Sequence, residues 1–348
     1  MSEPNPAKIL PRSVIFEITF RCPHRCAFCY CPWENTAAGA YPREELSTQE
    51  LKDALAFLKA CGAEQVTFSG GEPTAREDLR EILTYTRRTL GLRSGLISNG
   101  ALIDDEFLDF LRPLKILLSL SVPGIKTFEQ TTGVDGAAHA LELFSQAKER
   151  GIRTCANITV SRTNLPELYE NIAYPLIHGA DYVLLNRFMP GGRGMSHQDL
   201  LLNAEELNQM LETAEEVLAR AGKKGHIGTE LPYCVIKNPK KFKFLSIGSK
   251  CSAAKHFCAL DPNGWVKVCN HSPHVICRWD EIPAKLPSDP YWKRFLDSDY
   301  IPGMCAGCRD LSHCHGGCRE AANVWGGDVD AADPIFNCDF EGFNNLTH

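Results

Sequence analysis

Six short runs rich in β-branched and aliphatic residues recur between residues 13 and 188, with helical patterns between them: SVIFEITF (13–20), QVTFS (65–69), GLIS (95–98), KILLSLSV (115–122), TCANITV (154–160) and YVLLNRF (182–188). Strands that alternate with helices pair in parallel, because each right-handed crossover returns the chain to the same end of the sheet. The helical patterns carry their own boundary signals. Ser47 and Glu50 form a capping box ahead of Leu51, Ala54, Leu55 and Leu58, with Gly62 beyond; Thr74 and Glu77 precede Leu79, Ile82, Leu83 and Leu90 in the same way, up to Gly91. A longer helix is expected around 204–222. This order admits an open doubly wound sheet or a full or partial (β/α) barrel. In either fold, ligands sit beyond the carboxyl ends of the strands, which here read CPHRCAFC, SGGEP, SNG, SVPG, NITV and NRFMPGG.

A chain of 348 residues has room for one medium and one small unit. The basic, loop-like stretch VIKNPKKFKFLSIGSK (235–250) precedes a cysteine-dense tail, so the expected layout is an N-terminal tail (1–12), an α/β unit (13–230), a linker (231–250), a Cys-rich unit (251–340) and a C-terminal tail (341–348). Lys237, Lys240, Lys241 and Lys243 in that stretch read as a solvated face. A net charge of −6 gives no general attraction to nucleic acid or to an anionic membrane. No apolar run of spanning length occurs and the N-terminus lacks a signal-peptide layout, so a cytoplasmic protein is expected. In a reducing cytosol, metal ligation is the expected use for many of the 16 cysteines.

Cys22, Cys26 and Cys29 in RCPHRCAFCY follow the first strand. Three thiolates can hold three irons of a cubane and leave the fourth open to another ligand; a zinc site completed from elsewhere, or plain core thiols, are the alternatives. The tail adds Cys251, Cys258 and Cys269 around Gly264, then Cys305, Cys308, Cys314 and Cys318, and finally Cys338. Eight thiols suffice for two fully ligated clusters, and paired C-x2-C spacing also suits a zinc ribbon.

The C-x3-C-x2-C triplet, with Phe28 before its last cysteine, resembles the radical S-adenosylmethionine (radical SAM) superfamily, and SGGEP (69–73) and Ser121 in LSVPG fall where that family's pattern has them. The resemblance implies a partial (β/α)6 TIM-like barrel and a 4Fe-4S cluster on Cys22, Cys26 and Cys29. It also implies reductive cleavage of S-adenosylmethionine to methionine and a 5'-deoxyadenosyl radical that abstracts a substrate hydrogen. Gly70 and Gly71 would let the backbone approach the methionine amino group, and Glu72 would neutralise charge there. Ser121 would contact the ribose, Asn157 would lie near the adenosine and Arg187 would face the methionine carboxylate; Ser98 and Asn99 are further candidates. Turn chemistry at SNG, a strand end at GGEP and an ion pair at Arg187 are the local alternatives.

The tail pattern, C-x12-G-x4-C followed by C-x2-C-x5-C-x3-C and a distal cysteine, resembles the SPASM extension of peptide-modifying radical SAM enzymes. That resemblance implies two auxiliary 4Fe-4S clusters, an inner one on Cys251, Cys258, Cys269 and Cys318 and an outer one on Cys305, Cys308, Cys314 and Cys338, for three clusters in all. The implied activity is oxidative modification of a ribosomally synthesised peptide by a carbon–carbon, ether or thioether cross-link, the auxiliary clusters taking up an electron. Sulfatase-maturing relatives carry an aspartate after the third inner cysteine, where VCNHS has Asn270 and then His271. The departure counts against that chemistry and leaves His271 as the candidate base, with a satisfied structural histidine as the alternative. About a dozen residues precede the first strand, so a separate leader-binding protein is expected, with a reductant such as flavodoxin or ferredoxin. Two other classes stay open: cofactor or haem-type biosynthesis on a small molecule, and a non-catalytic iron-sulfur or zinc protein. Of the remaining thiols, Cys61 and Cys155 read as core residues, Cys31 and Cys277 as candidate reactive thiols, and Cys234 is unassigned.

Overall fold

A computed structural model describes residues 8–35 and 44–336, so Cys338 lies outside the described residues. The six expected strands are β1 (Ser13–Glu17), β2 (Gln65–Ser69), β3 (Arg93–Ser98), β4 (Leu117–Ser121), β5 (Thr154–Val160) and β6 (Tyr182–Arg187). Each pairs in parallel with the next. β2 and β5 coincide with their apolar runs and β3 begins two residues before its run, whereas β1, β4 and β6 are shorter than theirs because the ends of those runs leave the ladder. Four short strands follow: β7 (Gly225–Ile227), β8 (Leu245–Ser246), β9 (Phe257–Leu260) and β10 (Val266–Lys267).

One ten-stranded sheet results, in the order β10-β9-β1-β2-β3-β4-β5-β6-β7-β8. Among the described residues no ladder joins β8 to β10, so the curved sheet is a partial barrel. The stretch expected to be a linker contributes β8, which pairs with β7, and β9 from the Cys-rich tail pairs with β1 at the opposite side. The sheet and its apolar core therefore run across the expected boundary, from Val14 and Phe68 to Val266 and Trp292.

Side chains alternate along each strand. Val14, Phe16, Val66, Phe68, Ala156 and Ile158 are fully buried on the helix side, while Ser13, Ile15, Thr67, Ser69, Asn157 and Thr159 face the interior of the barrel. The outer helices obey their signals unevenly. The helix Thr48–Ala60 has the expected Ser47–Glu50 capping box, and Ala204–Ala221 has one made by Asn203 and Glu206, ending at Gly222 in the left-handed region. The Thr74–Glu77 box does not form. Thr74 instead donates to the buried Glu72, and the helix starts at Leu79, because Pro73–Ala75 is wound as a separate 3-10 turn. No helix among the described residues is long and apolar enough to cross a membrane.

Candidate active site

The loop after β1 holds Cys22, Cys26 and Cys29 and is gripped from two sides. On one side Gly71 N donates to Thr19 O and Glu72 N to Arg21 O, both at 2.7 Å. A Cβ on Gly71 would stand 2.3 Å from Arg21 O, and one on Gly70, at φ +138, would stand 2.7 Å from Thr19 O. Backbone contact with the cysteine loop is thus what requires glycine at both positions. On the other side Gly194 N donates to Cys29 O at 3.1 Å. Arg193 donates to Cys26 O at 3.0 Å and pairs with Glu34. Neither Arg193 nor Glu34 was singled out from the sequence, since only the fold brings residues so distant in the chain together.

Glu72 is buried and fully engaged. Its carboxylate accepts from Thr74 N at 3.0 Å, Thr74 Oγ1 at 2.6 Å, Ser98 Oγ at 2.8 Å and Asn99 N at 2.7 Å. Burial pushes its carboxyl up from the usual range, and these bonds oppose the shift. Glu72 therefore acts as a brace between β2 and the SNG turn. The turn in its place lets Asn99 Nδ2 donate to Cys22 Sγ at 3.6 Å.

Beyond the strand ends opens a cavity of about 1100 Å³. It is lined by the three loop cysteines, by Gly70, Gly71, Glu72, Ser98, Asn99, Ser121, Asn157 and Arg187, and by His271 from the tail. Besides Glu72, Ser98 and Asn99, the side chains of Asn157 and Arg187 are already partnered. Asn157 Oδ1 accepts from Asn186 Nδ2 at 2.9 Å. The Arg187 guanidinium forks onto buried Asp333 at 2.7 and 2.6 Å, the ion-pair alternative that the sequence left open, and only its buried Nε has no partner among the described residues.

His271 stacks at a tilt on Tyr30, with ring centroids 4.3 Å apart, and its buried Nδ1 has no hydrogen-bond partner. Burial first, then the Lys267 charge, lowers its pKa to about 4. Cys31 is buried and donates to Gly70 O at 3.6 Å beneath the loop, whereas Cys277 is buried away from the cavity.

The tail adds Cys251, Cys269, Cys318 and the carboxylate of Glu320 to the cavity lining, beside Glu230. Cys258 is not among them. It is fully buried on β9, where burial and the neighbouring Cys277 push its thiol up. Away from the cavity, Cys305, Cys308 and Cys314 lie together, Tyr233 N donating to Cys314 Sγ at 3.1 Å. The adjacent Cys234, unassigned from sequence, sits beside the same three thiols; burial and their charge push it up to about 12. Its signal was hidden, because 70 residues of chain separate it from Cys305.

Residues 16–172 match the family described as the Radical SAM superfamily. The chain carries a radical SAM domain. Its sequence relatives include proteins named PqqA peptide cyclase. One from Xanthomonas campestris pv. campestris (strain 8004) is 28% identical over 339 residues, covering 93% of this chain and 86% of the relative. Another from Gluconobacter oxydans (strain 621H) is 29% identical over 349 residues, covering 96% and 92%. Among solved structures, Streptococcus suis SuiB bound to S-adenosylmethionine superposes with a TM-score of 0.71 at 16% identity, over 93% of this chain and 76% of SuiB, and so shares the fold.

A radical SAM domain implies a 4Fe-4S cluster and S-adenosylmethionine, and the donor set fits them. Burial pushes Cys26 up, and the neighbouring Cys29 and Cys22 add to the shift. Such crowded thiols ionise readily only when a cation shares them, as iron does. Among the described residues no three His, Cys, Asp or Glu side chains converge on the position of a single metal ion.

Proposed function

We propose that this chain is a radical SAM peptide maturase that oxidatively cross-links a ribosomally synthesised peptide through a carbon–carbon, ether or thioether bond. The observation that carries the reading is the shared cavity, with Cys22, Cys26 and Cys29 on one wall and Cys251, Cys269 and Cys318 on another. Its volume of about 1100 Å³ lies above the ~300–1,000 Å³ of ordinary small-molecule sites, in keeping with a site that would hold clusters as well as a nucleoside and a peptide side chain. The relatives named PqqA peptide cyclase align over 93% of the chain, cysteine tail included, and SuiB was crystallised with its precursor peptide SuiA.

When bound, the cluster and S-adenosylmethionine supply a 5'-deoxyadenosyl radical for hydrogen abstraction. The chain's own residues aim it and keep water out. Cys22, Cys26 and Cys29 would hold the first cluster, with the Gly70–Gly71 and Gly192–Gly194 segments fixing their loop. Glu72 and Ser98 hold the turn from which Asn99 reaches Cys22, and this turn, Ser121 and Asn157 offer polar groups to the nucleoside. Arg187, steadied by Asp333, borders the methionine end, and His271 offers Nδ1 to a substrate proton.

In this reading residues 13–230 form the radical SAM unit and 251–340 the auxiliary one, with 231–250 joining them. The tail cysteines would hold two auxiliary 4Fe-4S clusters, which would supply an acceptor for the electron released by cross-linking. A separate leader-binding protein presents the peptide, and a flavodoxin or ferredoxin reduces the first cluster, all in the cytoplasm.

Anaerobic incubation of the reconstituted protein with dithionite, S-adenosylmethionine and the short peptides encoded beside its gene is expected to yield 5'-deoxyadenosine and a peptide lighter by two hydrogens. A positive 5'-deoxyadenosine assay with no mass loss in any such peptide would move the substrate to a small molecule.

The outer cluster offers a separate check. Cys305, Cys308 and Cys314 need a fourth ligand, assigned to Cys338, and Cys234 stands in reach of the same thiols. Single serine variants at 234 and 338 are expected to separate: C338S loses up to about four irons per chain while C234S keeps them. The reverse result transfers the position to Cys234.

A further inference from the structure

The sequence pattern offers four cysteines for the inner auxiliary cluster, and the fold brings only three of them together. β9 pairs in parallel with β1 in the register Ser13↔Phe257, Val14↔Cys258 and Ile15↔Ala259. Ser13, Ile15 and Phe257 line the cavity, whereas Val14 and Cys258 are fully buried on the opposite face. Because side chains alternate with a period of two, Cys258 can reach the cavity only if β9 slips by one residue. That slip would drive Phe257 and Ala259 toward the helices and carry β10 with it, since Val266 pairs with Leu260 and Lys267 with Ala259. Lys267 would then leave buried Glu17, its partner at 2.7 Å on the interior side. The register is thus held by a salt bridge as well as by apolar contacts. Cys258 instead neighbours Cys277, which is also fully buried.

We infer that the inner auxiliary cluster is held by three cysteines, Cys251, Cys269 and Cys318, and that its fourth iron faces the cavity, on the side where Glu230 and Glu320 stand. Cys258 is a core residue of the sheet. The inner cluster therefore presents an exchangeable position to the substrate, as the first cluster does to S-adenosylmethionine, and a peptide heteroatom is the chemical class of ligand suited to it. This inference rests on the three-cluster reading given above.

The test uses the reconstituted full chain. C258V places a β-branched apolar side chain, suited to a strand, at the buried position, and C258A serves as a second variant, with thermal melting to verify that each folds. Both are expected to retain the wild-type iron content, about twelve per chain, and its Mössbauer spectrum, while C251A, C269A and C318A each lose up to about four irons. In a C22A/C26A/C29A background, where only auxiliary clusters contribute, added cyanide is expected to shift the EPR signal of the reduced protein. Loss of about four irons from a folded C258V or C258A, or an EPR signal indifferent to cyanide, overturns the proposal. Wild-type protein holding only about four irons overturns the three-cluster reading itself, which is a distinguishable result.

Discussion

Replacing Cys22, Cys26 and Cys29 together by alanine is expected to reduce 5'-deoxyadenosine formation to background and to lower iron and sulfide by about four each per chain. The three thiols share one loop that lines the cavity, and two glycine segments hold that loop from opposite sides. The loop's position depends on backbone hydrogen bonds that the substitution leaves alone, such as Arg25 N to Thr132 O and Ala27 N to Thr131 O, both at 2.9 Å. The variant should therefore melt near the wild-type temperature once the loss of bound cluster is allowed for. Iron and sulfide analysis with an anaerobic cleavage assay checks both parts. Retained cleavage in the triple variant would remove the assignment of the first cluster.

The second large effect is on stability, at Lys267. Its ammonium meets Glu17 at 2.7 Å, both side chains are at most 1% exposed, and it also donates to Asn270 O at 3.3 Å. The pair spans β9 and so ties β1 of the barrel to β10 of the tail. Breaking a buried pair from one side leaves an uncompensated charge, so K267M is expected to cost about 3–5 kcal/mol. Removing both charges at once relieves that penalty, and the E17Q/K267M double variant should recover most of the loss. Denaturant unfolding of the two variants beside wild type measures the difference. Equal destabilisation in both would show that packing around the two stems, and not the stranded carboxylate, dominates.

The legibility of the fold follows from where its forces are local. β–α alternation, the Ser47–Glu50 box and the glycine after Ala221 are all written within a few residues of the elements they determine, and each element is present. Where a signal needed a distant partner, it misled. Thr74 and Glu77 look like a helix start, yet the Glu72 carboxylate, drawn inward by Ser98 and Asn99, takes the Thr74 hydroxyl. The loop-like 235–250 stretch supplies a strand because β7 offers it a free edge.

The same division runs through the site. Every residue expected to contact S-adenosylmethionine lines one cavity, because the carboxyl ends of parallel strands necessarily converge. What each does there was not legible. Glu72 is spent on bracing a turn, and the fork of Arg187 is taken by Asp333, 146 residues further along the chain.

The sequence by itself determined the parallel α/β plan, the first cysteine triplet and the supply of thiols in the tail, since spacing along the chain and side-chain chemistry are intrinsic to it. Only the tertiary structure decided which thiols meet. Cys251, Cys269 and Cys318 reach the cavity wall and Cys258 does not, because its place on β9 is locked to Val14 by the ladder, and a strand can turn only alternate residues to one face.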